Sequence, residues 1–185
     1  MADSVMTERI HPLGERAFAV SGMTLEPCPP AERISLRADT ETAAAIGVML
    51  GLELPTRAKT SATGPDILAC WLGPDEWLLI AENGGAADLS GKLATVENGN
   101  FSAVDISHRN TAIKISGRKA ADTLNSGCPQ DLSLAAFPVG ACSRTLLAKS
   151  EIVLIREAED RFRVECWRSF SDYVWKYLVD AAKSA

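Results

Sequence analysis

The sequence predicts an α+β fold built from one structural unit used twice. Arg33-Ile34-Ser35-Leu36-Arg37 and Ala112-Ile113-Lys114-Ile115-Ser116 each alternate apolar and polar residues, the period of a half-buried strand. Each is followed by a short helical stretch and then by two apolar runs around a tight polar turn. A single offset superposes Ile34 on Ile113 and Leu36 on Ile115, and a slightly longer one superposes Trp77 on Phe162. The second copy therefore holds a little more loop. Strand, helix, strand, strand, helix, written twice, marks an internal duplication. The reading gives an irregular N-terminal arm at 1–30 and a single domain at 31–185, with pseudo-repeats at 31–97 and 103–185.

Turn-forming Pro12, Gly14, Gly22 and Pro29-Pro30 make the N-terminal arm irregular. After the first alternating strand, Asp39-Thr40 supplies an N-cap for an Ala-rich helix over Thr42–Leu50, which Gly51 ends. A polar loop with Pro55, Gly64 and Pro65 leads to a hairpin, Ile67–Leu72 and Trp77–Ile80 around Gly73-Pro74-Asp75-Glu76. Asn83-Gly84-Gly85 opens a weak helix over Ala86–Leu93, and 95–101 is a linker by composition. The second unit has a helix over Arg118–Asn125 stopped by Gly127, with Pro129 beyond, and a long loop carrying Pro138 and Gly140. A second hairpin, Ile152–Arg156 and Arg161–Trp167, follows, and Ser171 caps a last helix over Asp172–Ala182.

The chain of 185 residues, 46% hydrophobic and 23% charged, is long enough to bury a substantial core. Its net charge of −5, with no Lys/Arg cluster, argues against nucleic acid, which demands a basic face. No apolar stretch approaches the ~20 residues of a membrane span. The N-terminus also lacks the apolar core of a signal peptide, so the reading is a cytoplasmic protein. Five scattered cysteines without a Cys-x-x-Cys read as reduced, buried thiols, and two histidines, His11 and His108, are too few for a zinc site.

The two hairpins differ. In the second, Phe162, Val164 and Cys166 alternate with Arg161, Arg163 and Glu165, which predicts one core face and one wet face. In the first, Trp77-Leu78-Leu79-Ile80 leaves no polar face, so both sides must be covered. The last helix raises the same demand, because Val174, Leu178 and Ala181 form one stripe while Tyr173, Trp175, Tyr177 and Val179 spread around the rest. Cover from another chain would make the Trp-bracketed hairpin and this helix assembly surfaces.

No residue set reads as catalytic. Asp105, Ser107 and His108 lie along one extended stretch, where alternation puts His108 on the opposite face from the other two. Asn83-Gly84-Gly85 lacks the spacing of a phosphate loop. The acids Asp75-Glu76 and Glu157, Glu159, Asp160 sit at hairpin tips, where water keeps carboxylates ordinary.

Leu72-Gly73-Pro74-Asp75-Glu76-Trp77-Leu78-Leu79 resembles a signature of the gamma-subunit family of heterotetrameric sarcosine oxidases. Val104-Asp105-Ile106-Ser107-His108-Arg109, Gly127-Cys128-Pro129-Gln130-Asp131-Leu132, Phe137-Pro138-Val139-Gly140 and Trp167-Arg168-Ser169-Phe170 do likewise, in register from about Ile34 onward. Asp105-Ile106-Ser107-His108 and the strand ending at Ser116-Gly117 are also similar to the glycine cleavage T-protein and related aminomethyltransferases. That likeness implies duplicated ferredoxin-like halves in a folate-binding-domain-like fold. No position matches the T-protein's folate-contacting acid, so no folate site is carried over. The resemblance implies a non-catalytic gamma subunit beside alpha, beta and delta chains, in an enzyme that oxidises sarcosine to glycine. Such a complex makes hydrogen peroxide and formaldehyde or 5,10-methylenetetrahydrofolate, and its FAD, FMN, NAD and tetrahydrofolate belong to the larger chains. For this chain the expectation is therefore no catalytic, cofactor-binding or metal residue. The expected partner contacts are Trp71, Trp77, His108, Arg109, Trp167, Arg168, Tyr173 and Trp175. Two other classes stay open, a free-standing folate-binding one-carbon protein and a self-assembling scaffold.

Overall fold

The computed structural model describes residues 11–82, 88–97 and 99–184. Two antiparallel sheets stack face to face, and each carries two helices on its outer side. The first sheet contains β3 (Ala31–Ala38), β4 (Ser61–Thr63), β5 (Leu68–Gly73), β6 (Glu76–Glu82) and β7 (Phe101–Asp105) in the order β4-β5-β6-β3-β7. The second contains β1 (Phe18–Val20), β2 (Met23–Pro27), β8 (Asn110–Ser116), β9 (Cys142–Leu147), β10 (Ser150–Ala158) and β11 (Arg161–Trp167). Its order, β9-β10-β11-β8-β2-β1, repeats the first sheet strand for strand and adds one more.

The duplication is written in the register. Leu36 faces Trp77 across β3 and β6, and Ile115 faces Phe162 across β8 and β11. In both halves the strand beside the leading one comes from elsewhere in the chain. β7 closes the first half against β3, and β2, from the N-terminus, takes the same place against β8. This corrects the N-terminal arm, since 18–27 forms a hairpin paired with β8 rather than irregular chain. The linker at 95–101 likewise ends in β7, which belongs to the first sheet, so the repeat boundary falls after Asp105. The beginning of the arm, 1–10, the Asn83-Gly84-Gly85 turn and the start of its helix lie outside the described residues.

Local chemistry sets the helices. α1 (Thr40–Leu50) begins where Asp39 accepts the Thr42 N–H at 2.8 Å and ends at Gly51, whose φ of 73° is left-handed and suits only glycine cheaply. α1 and α2 (Leu89–Ala94) bury Ile46, Leu50, Leu89 and Leu93 over Ile34, Leu36, Trp77 and Leu79. α3 (Ala120–Asn125) and α4 (Ser171–Ser184) cover the second sheet with Leu124, Val174, Trp175 and Leu178. Ser171 does not cap by accepting; its hydroxyl donates to Arg168 O at 2.8 Å and stands inside the first turn. Between the sheets lie Cys70, Leu78, Ile80, Ile106, Cys142 and Ile155.

This layering explains the doubly apolar hairpin and corrects its assignment. Trp77, Leu79 and Ala81 face the helices, while Leu78 and Ile80 face the second sheet. Both covers come from this chain. The same layering overturns the wet face expected of β11. Arg163 and Glu165 are 1% exposed, because the face that alternation marks as polar meets the other sheet. There Glu165 takes Arg33 Nε at 2.7 Å and Nη2 at 3.2 Å, and Arg163 Nε at 2.7 Å. Arg163 Nη1 also pairs with Glu82. One carboxylate thus holds a guanidinium from each sheet, and a buried group with these partners fixes how the sheets sit on one another.

A buried arginine also secures the long loop of the second half. Arg156 is 2% exposed, lies 4.4 Å from the Phe162 ring centroid and donates Nη2 to Leu132 O.

Candidate partner interface

β11 ends at Trp167 and turns through a 3₁₀ segment, Arg168–Phe170, directly into α4. The turn throws its aromatic side chains outward. Trp167 is 42% exposed, Phe170 45% and Tyr173 40%, and these are the only strongly exposed aromatics among the described residues. Their clustering around one turn is the feature that marks the surface, since scattered single exposures need no explanation. Trp167 and Phe170 ring centroids are 6.2 Å apart. Arg109 lays its guanidinium 5.3 Å from the Trp167 centroid, and the Arg168 N–H donates to Arg109 O at 2.7 Å. The Arg109 loop and the turn after β11 are thereby tied together. Tyr173 Oη accepts the Lys149 N–H at 3.4 Å.

Beside the patch a cleft of about 270 Å³ opens between the sheets, lined by Arg109, Trp167, Glu76, Arg144 and Glu151 among others. Glu76 anchors its floor and joins the sheets. It takes Arg144 Nη1 at 3.2 Å from the second sheet and Arg37 Nη2 at 3.2 Å from its own. The hydrogen bond and charge of Arg144 outweigh burial and hold the Glu76 carboxyl below the usual range. A lowered folded-state pKa contributes stability above the ordinary value of about 4.3, lost as pH falls through the lowered one. The stability difference between wild type and Glu76→Gln should therefore be full above about pH 5 and shrink as the pH falls below the ordinary carboxylate value of about 4.3. Urea titrations across that range read it directly.

Of the eight residues expected at a partner surface, the structure gathers Arg109, Trp167 and Arg168, and places exposed His108 beside them. Tyr173 is exposed on the next turn of α4. Trp71 is half-buried in β5. Trp77, 3% exposed, and Trp175, 7% exposed, belong to the two helix-facing cores and offer no surface to another chain. Trp77 Nε1 donates to Pro55 O at 2.7 Å, which completes its burial. Phe170, as exposed as Trp167, was not among the eight, although it closes the Trp167-Arg168-Ser169-Phe170 motif.

Ser107 donates its hydroxyl to Asp105 and accepts the Arg33 N–H at 2.9 Å, so it braces the loop after β7 while His108 faces water. Burial pushes the Cys28 thiol up to about 11 and Cys166 to about 12, which keeps both protonated. Among the described residues no group of three or more His, Cys, Asp or Glu could hold a metal ion, and no helix is long and apolar enough to cross a membrane.

A family model described as the sarcosine oxidase gamma subunit family matches residues 35–184. The chain belongs to that family. It is 31% identical over 140 residues to the sarcosine oxidase subunit gamma of an Arthrobacter species, covering 75% of this chain and 68% of that one. The subunit gamma of Corynebacterium sp. strain U-96 is 34% identical over 143 residues, covering 75% and 67%. The solved heterotetrameric sarcosine oxidase from Corynebacterium sp. U-96, in complex with pyrrole 2-carboxylate, has a chain that superposes with a TM-score of 0.81 at 28% identity, covering 88% of this chain and 84% of that one. The glycine cleavage aminomethyltransferase T of Bartonella henselae superposes with a TM-score of 0.64 at 12% identity, over 85% of this chain and 45% of that one, a likeness of fold alone. In this gamma-family chain the motifs around Asp105–Arg109 and Trp167–Phe170, far apart in sequence, meet through the Arg109–Trp167 stack.

Proposed function

We propose that this chain is the gamma subunit of a heterotetrameric sarcosine oxidase and works by contact rather than by chemistry. The observation that carries the reading is the aromatic cluster Trp167, Phe170 and Tyr173 left exposed on a gamma-family chain. Arg and Trp stacked beside a polar-rimmed cleft are what dominates binding energy at protein interfaces. In this reading the patch docks on the larger alpha and beta chains, with delta completing the assembly, and stabilises them in the cytoplasm. Sarcosine oxidation to glycine, peroxide formation and the FAD, FMN, NAD and tetrahydrofolate sites lie in those other chains. The test is purification through a tag on this chain from native cells grown on sarcosine. Co-elution of larger chains with flavin absorbance and sarcosine-dependent peroxide release supports the reading. A colourless, solitary 19.8 kDa protein contradicts it.

A further inference from the structure

The two halves match strand for strand except at one position. In the second sheet β1 pairs with the outer edge of β2, and nothing among the described residues occupies the equivalent place beside β7. The equivalence is residue-by-residue. Ile115 faces Leu25 and Ile113 faces Pro27, while Leu36 faces Ala103 and Ile34 faces Asp105. Ala103 thus stands where Leu25 stands, and Leu25 is paired on its far side with Phe18 of β1.

Hydrogen-bond parity says which groups of β7 face outward. Ile106 N donates to Arg33 O at 2.9 Å and Asp39 N to Asn100 O at 3.2 Å. In an antiparallel ladder the paired residues alternate, so Ser102 and Val104 spend their backbone groups on β3. Phe101 and Ala103 turn theirs away from it. The residues Ser102–Asp105 are all exposed, and Val104, 52% exposed, occupies the place of the charged, exposed Glu26 in β2. The exposed middle of β7, Ser102, Ala103 and Val104, carries no charge and no Pro, which leaves that stretch open to pairing.

We propose that the outer edge of β7 accepts a short extended segment of a larger subunit as the sixth strand of the first sheet. The inference rests on the subunit reading above. The occupant is assigned to that partner because β7 runs straight through Asp105-Ile106-Ser107 into His108 and Arg109, whose guanidinium stacks on Trp167. Exposed Asp105, His108 and Arg109 lead from the edge to the aromatic patch, so a chain seated on the patch lies one short loop from the edge. Main-chain bonds to Phe101 and Ala103 would supply affinity, and a side chain beside Ala103 would fill the place that Phe18 fills in the other half.

Amide exchange, resolved by residue, in the isolated chain and in the purified complex tests the assignment. Exchange at Phe101 and Ala103 should be fast in the isolated chain and at least about tenfold slower in the complex, with Ser102 and Val104 protected in both. Ala103→Pro removes an N–H that β3 does not use, as edge strands tolerate. It should melt close to wild type yet be retained at least about tenfold less by the larger chains. Fast exchange in the complex, retention equal to wild type, or protection already present in the isolated chain, which would mean a second copy or the chain itself covers the edge, would each overturn it. If the wild-type chain enters no complex, the subunit reading falls and takes this proposal with it. Equal retention of wild type and Ala103→Pro removes the strand alone.

Discussion

Glu165→Ala should cost the folded chain about 3–5 kcal/mol, the range found when one member of a buried ion network is removed. For a chain of this size that is a fall in melting temperature of roughly 6–20 °C. The reason is geometric. Glu165 is 1% exposed and accepts from Arg33 of one sheet and Arg163 of the other, both of them buried. Alanine leaves two guanidinium groups facing each other across the inter-sheet layer, with Glu82 and the Ala31 carbonyl as their remaining side-chain hydrogen-bond partners among the described residues. Glu157 is the matched control. It makes an ion pair with Arg161 at 3.2 Å with both side chains partly in water, and its loss should change stability by less than about 1 kcal/mol. Thermal and urea melts of the two variants give the comparison. Equal effects would show that the network does not join the sheets.

The second large effect concerns association and should leave the fold alone. Trp167→Ala combined with Phe170→Ala removes two exposed rings that touch each other and little of the core. An interface anchor of this kind costs about 2 kcal/mol or more when truncated, so even if the two rings act as one anchor, affinity for the larger subunits should fall by at least about 30-fold. The melting temperature of the isolated chain should stay within a few degrees of wild type. Interferometry with immobilised variant and purified partner chains separates the two quantities. A double variant that binds normally would move the interface elsewhere on the molecule.

The contrast between these two experiments follows the line between what was legible in the sequence and what was not. Helix ends were legible because their chemistry is local: Asp39 and Gly51 announce α1, and the structure closes it with those residues. So was the second hairpin, whose strands β10 and β11 are joined by a tight turn. The duplication was legible because the apolar period fixes register, and Leu36 with Trp77 and Ile115 with Phe162 fall opposite one another as the offsets require. β2 was not, because its partner β8 lies far along the chain and Gly22 and Pro29-Pro30, on either side of it, read as turn. β4 and β9 were also missed, being short edge strands inside polar loops.

Cover was the harder quantity. Alternation in β11 separates two faces correctly but says nothing of what lies on the polar one, and Arg163 and Glu165 were placed in water for that reason. The run Trp77–Ile80 demands cover on both sides, and the sequence cannot say that the second sheet provides it. Trp167 and Trp175 look alike in a string of letters. The first ends a strand and turns into solvent, and the second lies on the sheet-facing side of α4. The exposed patch proposed as the partner surface was therefore half legible: its motifs stood out, while the sorting of buried from exposed aromatics required the fold.

The central claim is that this chain acts through its surface as part of a sarcosine-oxidising assembly. Native mass spectrometry on the oxidase purified through a tag on its largest chain tests it most directly, with wild-type and Trp167→Ala/Phe170→Ala chains expressed side by side. The account predicts a complex that contains the wild-type 19.8 kDa chain and lacks the double variant. A complex that forms and turns over sarcosine normally while never retaining the wild-type chain would contradict it.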